Sequence, residues 1–237
     1  MAFLNRRYGG GAPALLFSML ATTWACAGAS GQDRQRASGF VDAATRAPGL
    51  VVEMRYAGPH NFTGRPIEGY DANICLLSEP AASALAAVQR RLAALGRGLK
   101  VYDCYRPVRA VADFAAWARD LDDQATKPEF YPNVEKDQLF ALGYIAERSG
   151  HSRGSTVDVT LVDLATGAEL DMGTPYDLFD PRSWPSDTSV SPEAQANRSA
   201  LRDVMIAHGF RPLREEWWHF TLESEPYPAT YFDFPVR

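Results

Sequence analysis

Two short stretches of this chain carry residues able to hold a metal ion and to act beside it. The first runs Ser149-Gly150-His151-Ser152-Arg153-Gly154-Ser155-Thr156-Val157-Asp158, and the second is Glu216-Trp217-Trp218-His219. Two imidazoles and a carboxylate, from His151, His219 and Asp158, make the three-ligand set of a catalytic zinc site whose fourth position stays open. Zinc brings the pKa of a water in that position toward ~7, so hydroxide is available at neutral pH. Glu216, three residues before His219, is placed to take the water proton and pass it to a leaving amine. That is hydrolytic chemistry. His60 and His208 fall outside any ligand-like spacing and read as ordinary hydrogen-bonded residues.

The elements around these residues follow from periodicity. Val157-Val159-Leu161 alternate with Asp158 and Thr160, which predicts a strand with Asp158 on a face from which it can reach a metal. Gly154 permits a tight approach before that strand. Phe210–Leu213 and Trp217–Leu222 read as paired strands around a turn containing Arg214 and Glu215, so His219 also sits on a strand. Ser78 and Pro80 open a helix with Leu85, Val88, Leu92 and Leu95 on its buried face, closed by Gly96 and Gly98. Leu99–Tyr102 alternates as a strand, and Pro107 starts a second helix carrying Val111, Phe114 and Trp117. Arg106 therefore stands where a strand gives way to a helix. Ser191 and Pro192 cap a helix that runs to His208 and stops at Gly209. Residues 126–137, rich in Pro, Asn, Lys and acids, read as a long surface loop on the rim of a cleft, and 173–192 as another loop.

At 237 residues, 46% of them hydrophobic, the chain can bury a sizeable core and needs only one domain. No internal repeat or second core is evident. The mixed order of helices and strands predicts a single α+β domain with a central, mainly antiparallel sheet flanked by helices. The net charge of −5 and the absence of any Lys/Arg run exclude a basic surface for nucleic acid.

The N-terminus reads as a targeting segment. Arg6 and Arg7 precede an apolar stretch from Ala12 to Ala25, followed by the small residues of Ala25-Cys26-Ala27-Gly28-Ala29. The apolar run is too short to favour a membrane span. Residues 1–29 are thus expected to be a signal peptide, 30–39 a flexible tether, and 40–237 the folded domain, in a protein exported to the periplasm. Cys26 offers the rival outcome of a lipid-anchored N-terminus. Export matters for Cys75 and Cys104: an oxidising compartment lets them persist as a disulfide, whereas the alternative is two buried thiols. Neither has a nearby Cys or His partner, which argues against cysteine-ligated zinc.

Several motifs in order give the chain a family likeness. The stretch from Ser149 through His151, Gly154 and Asp158 to Leu161, Glu216-Trp217-Trp218-His219, and Asp103-x-Tyr105-Arg106-Pro107 resemble the D-alanyl-D-alanine dipeptidases, the VanX-type zinc dipeptidases. Asn61-Phe62-Thr63-Gly64 with Gly69-Tyr70, Met172-Gly173-Thr174, and the ending from Glu225 to Pro235 match as well. The resemblance spans residues 51–237. It implies one Zn²⁺ held by His151, Asp158 and His219, Glu216 as general base and later acid, and Arg106 as the oxyanion donor, a role suited to a permanently charged planar fork. It also places Tyr56, Ser149 and Asp177 in the substrate pocket, and makes the partner a small dipeptide, D-Ala-D-Ala. Gly150 departs from the pattern, standing where the family often has Ser, which loosens the loop before His151 or removes a polar contact.

In a periplasm the expected task is recovery of D-alanine from cell-wall turnover. The rival readings are a zinc D,D-carboxypeptidase or peptidoglycan endopeptidase with an open groove, and a non-catalytic zinc wall-binding module. The last has no use for Glu216 and Arg106.

Overall fold

The structure, a computed structural model, describes residues 39–237. The expected signal peptide and all but the last residue of the expected tether lie outside the described residues. Among those described, no helix is long and apolar enough to cross a membrane.

Among the described residues, seven strands and four helices build one α+β domain: β1 (Phe40–Asp42), β2 (Val51–Val52), β3 (Leu76–Ser78), α1 (Glu79–Ala93), β4 (Arg97–Asp103), α2 (Val108–Arg119), α3 (Lys127–Phe130), β5 (Thr156–Asp163), α4 (Pro192–Ala207), β6 (Phe210–Pro212) and β7 (His219–Leu222). The central sheet has the order β2-β4-β5-β7-β6. Only β2 runs parallel to its neighbour; the remaining pairs are antiparallel. β1 and β3 form a separate antiparallel ribbon. Helices α1 and α4 pack against each other and against the sheet, and Leu85, Val88, Leu92, Leu201 and Met205 supply their buried faces.

The strand β5 alternates as its sequence requires, but both of its faces are covered. Val157, Val159 and Leu161 are buried on one, and Asp158 and Thr160 are equally buried on the other. Register then sets a row across three strands: Asp103 on β4 is paired with Asp158 on β5, which is paired with His219 on β7. A register shift between Val101 and Asp103 marks the end of β4.

Two expectations need correction. Leu95 is 59% exposed, not part of the buried face of α1. The helix ends at Ala93, and Gly96, at φ +71°, turns the chain straight into β4, which already includes Gly98. Residues 126–137 are not an open surface loop at the cleft. They form α3 and a 3₁₀ turn over Lys136–Gln138, with Phe130, Tyr131 and Lys136 buried. The aromatics win over the polar composition, and Lys136 donates to the Asp123 carbonyl at 2.6 Å while lying over the Trp117 ring.

Cys75 and Cys104 are joined by a disulfide, which ties the segment before β3 to the end of β4. The C-terminal segment closes the same region: Val236 bridges to Tyr70, Phe232 N–H donates to the Ser152 carbonyl, and Phe234 stacks on Tyr105.

Candidate active site

His151, Asp158 and His219 converge although they come from three different elements. His151 lies in the 3₁₀ turn Gly150–Arg153, capped by the Ser149 hydroxyl, which accepts from His151 N–H at 3.2 Å, and ended by Gly154 at φ +78°. A side chain at 154 would collide with the ring of Phe40. A Cβ at Gly150 would sit 3.1 Å from the Thr156 hydroxyl, so the turn is already filled where the family often has Ser.

The ligand atoms form a triangle. His151 Nε2 lies 3.3 Å from Asp158 Oδ1 and 3.3 Å from His219 Nδ1, and His219 Nδ1 lies 3.1 Å from Asp158 Oδ1. Atoms about 2.1 Å from a common tetrahedral centre stand roughly 3.4 Å apart, so these residues fit a small divalent cation. Asp158 Oδ1 is buried without a hydrogen bond, as a ligand oxygen aimed at a metal should be. The other ring nitrogen of His151, Nδ1, is 2.7 Å from the Cys104 carbonyl. Donating there fixes the tautomer that leaves Nε2 with its lone pair.

Electrostatics point the same way. Burial pushes the His219 imidazole down, but its bonds to Asp158 and Glu216 outweigh this and lift it to about 9. Burial raises the Asp158 carboxyl, yet the neighbouring His151 and His219 hold it below the ordinary carboxylate range. The cluster is a group of acids and imidazoles that favours positive charge at its centre.

A cavity of about 250 Å³ opens onto this triangle. That is below the ~300–1,000 Å³ of sites for drug-sized molecules. Glu216, Arg106, Tyr56, Ser149 and Asp177 all line it, so the structure brings together every residue the sequence nominated for catalysis and binding. Gly143, Tyr144, Ile145, Ala146 and Arg148 also line it, whereas no residue of the 126–137 segment does. Glu216 Oε2 is 3.4 Å from His219 Nδ1.

Arg106 is held in place. Its Nε donates to Asp103 Oδ2 at 2.9 Å, and its guanidinium packs over the rings of Tyr56 and Phe114 at 5.1 and 4.9 Å. Burial opposes its charge, but Asp103 more than compensates and keeps it protonated. Asp103 in turn is fully buried and accepts from the Tyr70 hydroxyl and the Cys104 N–H. Asp177 adopts φ +61°, the one non-glycine residue with positive φ among those described. Such strain costs of order 1–3 kcal/mol and gathers at functional sites. Burial and then the charge of Asp158 hold its carboxyl well above the usual range; the Tyr56 hydroxyl, 2.8 Å away, pulls the other way.

This fold is shared. A family model described as D-ala-D-ala dipeptidase matches residues 36–237. The chain is 46% identical over 188 residues to the D-alanyl-D-alanine dipeptidase of Streptomyces coelicolor, covering 79% of this chain and 93% of that protein. The chain belongs to the D-alanyl-D-alanine dipeptidase family. It is also 42% identical to the enzyme of that name from Enterococcus faecalis, over 84% of this chain and 98% of the relative, and 37% identical to that from Escherichia coli, over 81% and 87%. It is accordingly a metallopeptidase with a His/Asp/His group able to hold a metal.

Sequence reasoning passed over three contributors. Asp103 stood in a quoted motif, and its place three residues before Arg106 at a strand end was a usable signal. The Cys104 carbonyl and Tyr176 carried none. A backbone oxygen has no sequence signature, and Tyr176, whose hydroxyl is 2.9 Å from Asp158 Oδ2, reaches the site only through the path of an irregular loop. His60 and His208 are hydrogen-bonded elsewhere, to Arg55 with Glu129 and to the Val204 carbonyl.

Proposed function

We propose that this chain hydrolyses D-alanyl-D-alanine to two D-alanines, using zinc held by His151, Asp158 and His219. The observation that carries this reading is the triangle of ligand atoms facing the same small cavity as Glu216 and Arg106. Bound zinc supplies Lewis acidity toward the scissile carbonyl and acidifies water. Glu216 takes a proton from the attacking water and returns it to the leaving amine. Arg106, pinned by Asp103, donates to the oxygen on which negative charge develops.

Recognition of both dipeptide ends follows from the lining. Asp177 is a buried carboxyl whose only hydrogen-bond partner among the described side chains is Tyr56; burial and the Asp158 charge disfavour its ionised form, so a substrate ammonium supplies the countercharge that its carboxylate requires. Ser149 and Arg148 offer donors for the carboxylate; Arg148 lies over the Tyr231 ring without an ion-pair partner among the described residues. A site that satisfies both charged ends in a small volume rejects a longer peptide, which leaves one of them unpaired.

The zinc-loaded protein should cleave D-Ala-D-Ala and leave a D-Ala-D-Ala-terminated pentapeptide intact. Release of D-alanine from the pentapeptide makes the chain a carboxypeptidase, and zinc binding without turnover on either makes it a wall-binding module. His219→Ala should remove most of the zinc, measured by metal analysis; full occupancy would overturn the ligand set.

Export to the periplasm belongs to the same proposal. It is supported by the apolar stretch from Ala12 to Ala25 and by a disulfide of the kind an oxidising compartment preserves. Mass spectrometry of envelope protein should find a start near Gly28 or Ser30, or a lipidated Cys26; an intact Met1 would refute it.

A further inference from the structure

We propose that Tyr176 is a positioning residue that selects which oxygen of Asp158 faces the metal, and that ties this ligand to the ammonium pocket of Tyr56 and Asp177. The inference rests on reading His151, Asp158 and His219 as the metal site. Tyr176 is buried, its ring stacked on Tyr102 at 4.6 Å and set edge-on to Trp218 at 5.3 Å. Its oxygen is therefore fixed by packing on two sides. It lies 2.9 Å from Asp158 Oδ2 and 3.0 Å from the Tyr56 hydroxyl, which itself donates to Asp177 Oδ2.

Counting hydrogens settles the direction of these bonds. Each phenol has one proton. That of Tyr56 goes to Asp177, so the Tyr56 oxygen is left as an acceptor and Tyr176 must choose between it and Asp158. A bond to a carboxylate is roughly twice as strong as one between neutral groups, so the Tyr176 proton goes to Asp158 Oδ2. With Oδ2 engaged, the carboxylate cannot rotate, and Oδ1 is the oxygen presented to His151 Nε2 and His219 Nδ1. Groups that hold a ligand in this way are commonly worth 10–100-fold in metal affinity. Tyr176 and Asp177 are consecutive, so the residue that orients the ligand and the residue that awaits the ammonium move together.

The test is zinc affinity measured by competition with a chromophoric chelator, in wild type, Tyr176→Phe, Tyr56→Phe and Tyr102→Phe, alongside thermal denaturation of each metal-free protein. Tyr176→Phe should weaken zinc at least tenfold without a comparable loss of metal-free stability. Tyr56→Phe should stay within threefold of wild type, because Tyr176 keeps its proton on Asp158. Tyr102→Phe removes another phenol from the same stack, one bonded to Glu169, and should leave zinc affinity unchanged. Affinity within twofold for Tyr176→Phe, or an equal loss in Tyr102→Phe, overturns the proposal. Should Tyr176→Phe fail to fold, a tenfold loss in Tyr56→Phe overturns it by showing that Asp158 is held from the far phenol. Zinc retained by His219→Ala would instead remove the ligand set on which the inference depends.

Discussion

Glu216 and Arg106 line one cavity but are supported very differently. Glu216 touches His219 and stands a quarter exposed, whereas Arg106 is locked between Asp103 and two aromatic rings. Glu216→Gln keeps the size and polarity of the side chain and removes its basicity. Zinc content should stay normal while turnover falls by at least ~10²-fold; near-normal turnover with zinc bound would assign the base elsewhere. Arg106→Ala should depress turnover by ~10²–10³-fold with a much smaller change in substrate affinity, because its bond forms as the carbonyl oxygen gains charge. Lys should rescue only partly, since it lacks the planar fork that grips Asp103 and the substrate together. Steady-state kinetics on zinc-matched variants separate these cases, and a pure loss of affinity would move Arg106 to the substrate carboxylate. At this scale most of the site was legible. Side chains that act through charge, such as His151 or Asp177, carry their chemistry in their names, whereas Cys104 acts through a carbonyl that every residue possesses.

The elements were legible wherever a repeating pattern outlasted its neighbours. β5, α1 and α4 have regular apolar spacing, and at the start of α4 Ser191 accepts from Ala194 N–H as its position suggests. The segment 126–137 was not legible, because its buried aromatics are too few to form a period, and their burial depends on Trp117 and Phe179 far away in sequence. The loop that carries Tyr176 and Asp177 is secured by a different device. Asp180 caps the 3₁₀ turn Pro181–Ser183 and binds Arg182 and Asn133. Burial raises its carboxyl, but the bonds from Arg182 outweigh this and bring it to about 2. A carboxyl depressed on folding contributes stability above its unfolded pKa of ~3.9, and that contribution is lost as pH falls toward 2. Urea unfolding should therefore show Asp180→Asn less stable than wild type at pH 6, with the gap closing between pH 4 and pH 2. A gap that persists at pH 2 would mean that the residue acts through shape instead of charge.

The described residues share one continuous core, and its covalent staple lies directly behind the metal site. Cys104 contributes its sulfur to the disulfide and its carbonyl to His151. Closing a loop with a separation of 29 residues stabilises the fold by about 3.5 kcal/mol on the chain-entropy account. The double variant Cys75→Ala/Cys104→Ala should thus melt on the order of 10 °C lower and bind zinc more weakly. A lower melting temperature with unchanged zinc affinity would show that the carbonyl is held by β4 alone.

The distribution of the site along the chain sets a timetable for its appearance. His151 and Asp158 leave the ribosome together, but His219 follows some sixty residues later, and the segment around Phe232 and Val236 that braces the His151 turn comes later still. A nascent chain halted between Asp158 and His219 has two ligands, an unfinished sheet edge where β7 belongs, and no wall behind Ser152. Translation therefore cannot yield a competent peptidase by degrees: metal capture and activity wait until the residues from His219 through Val236 have been made.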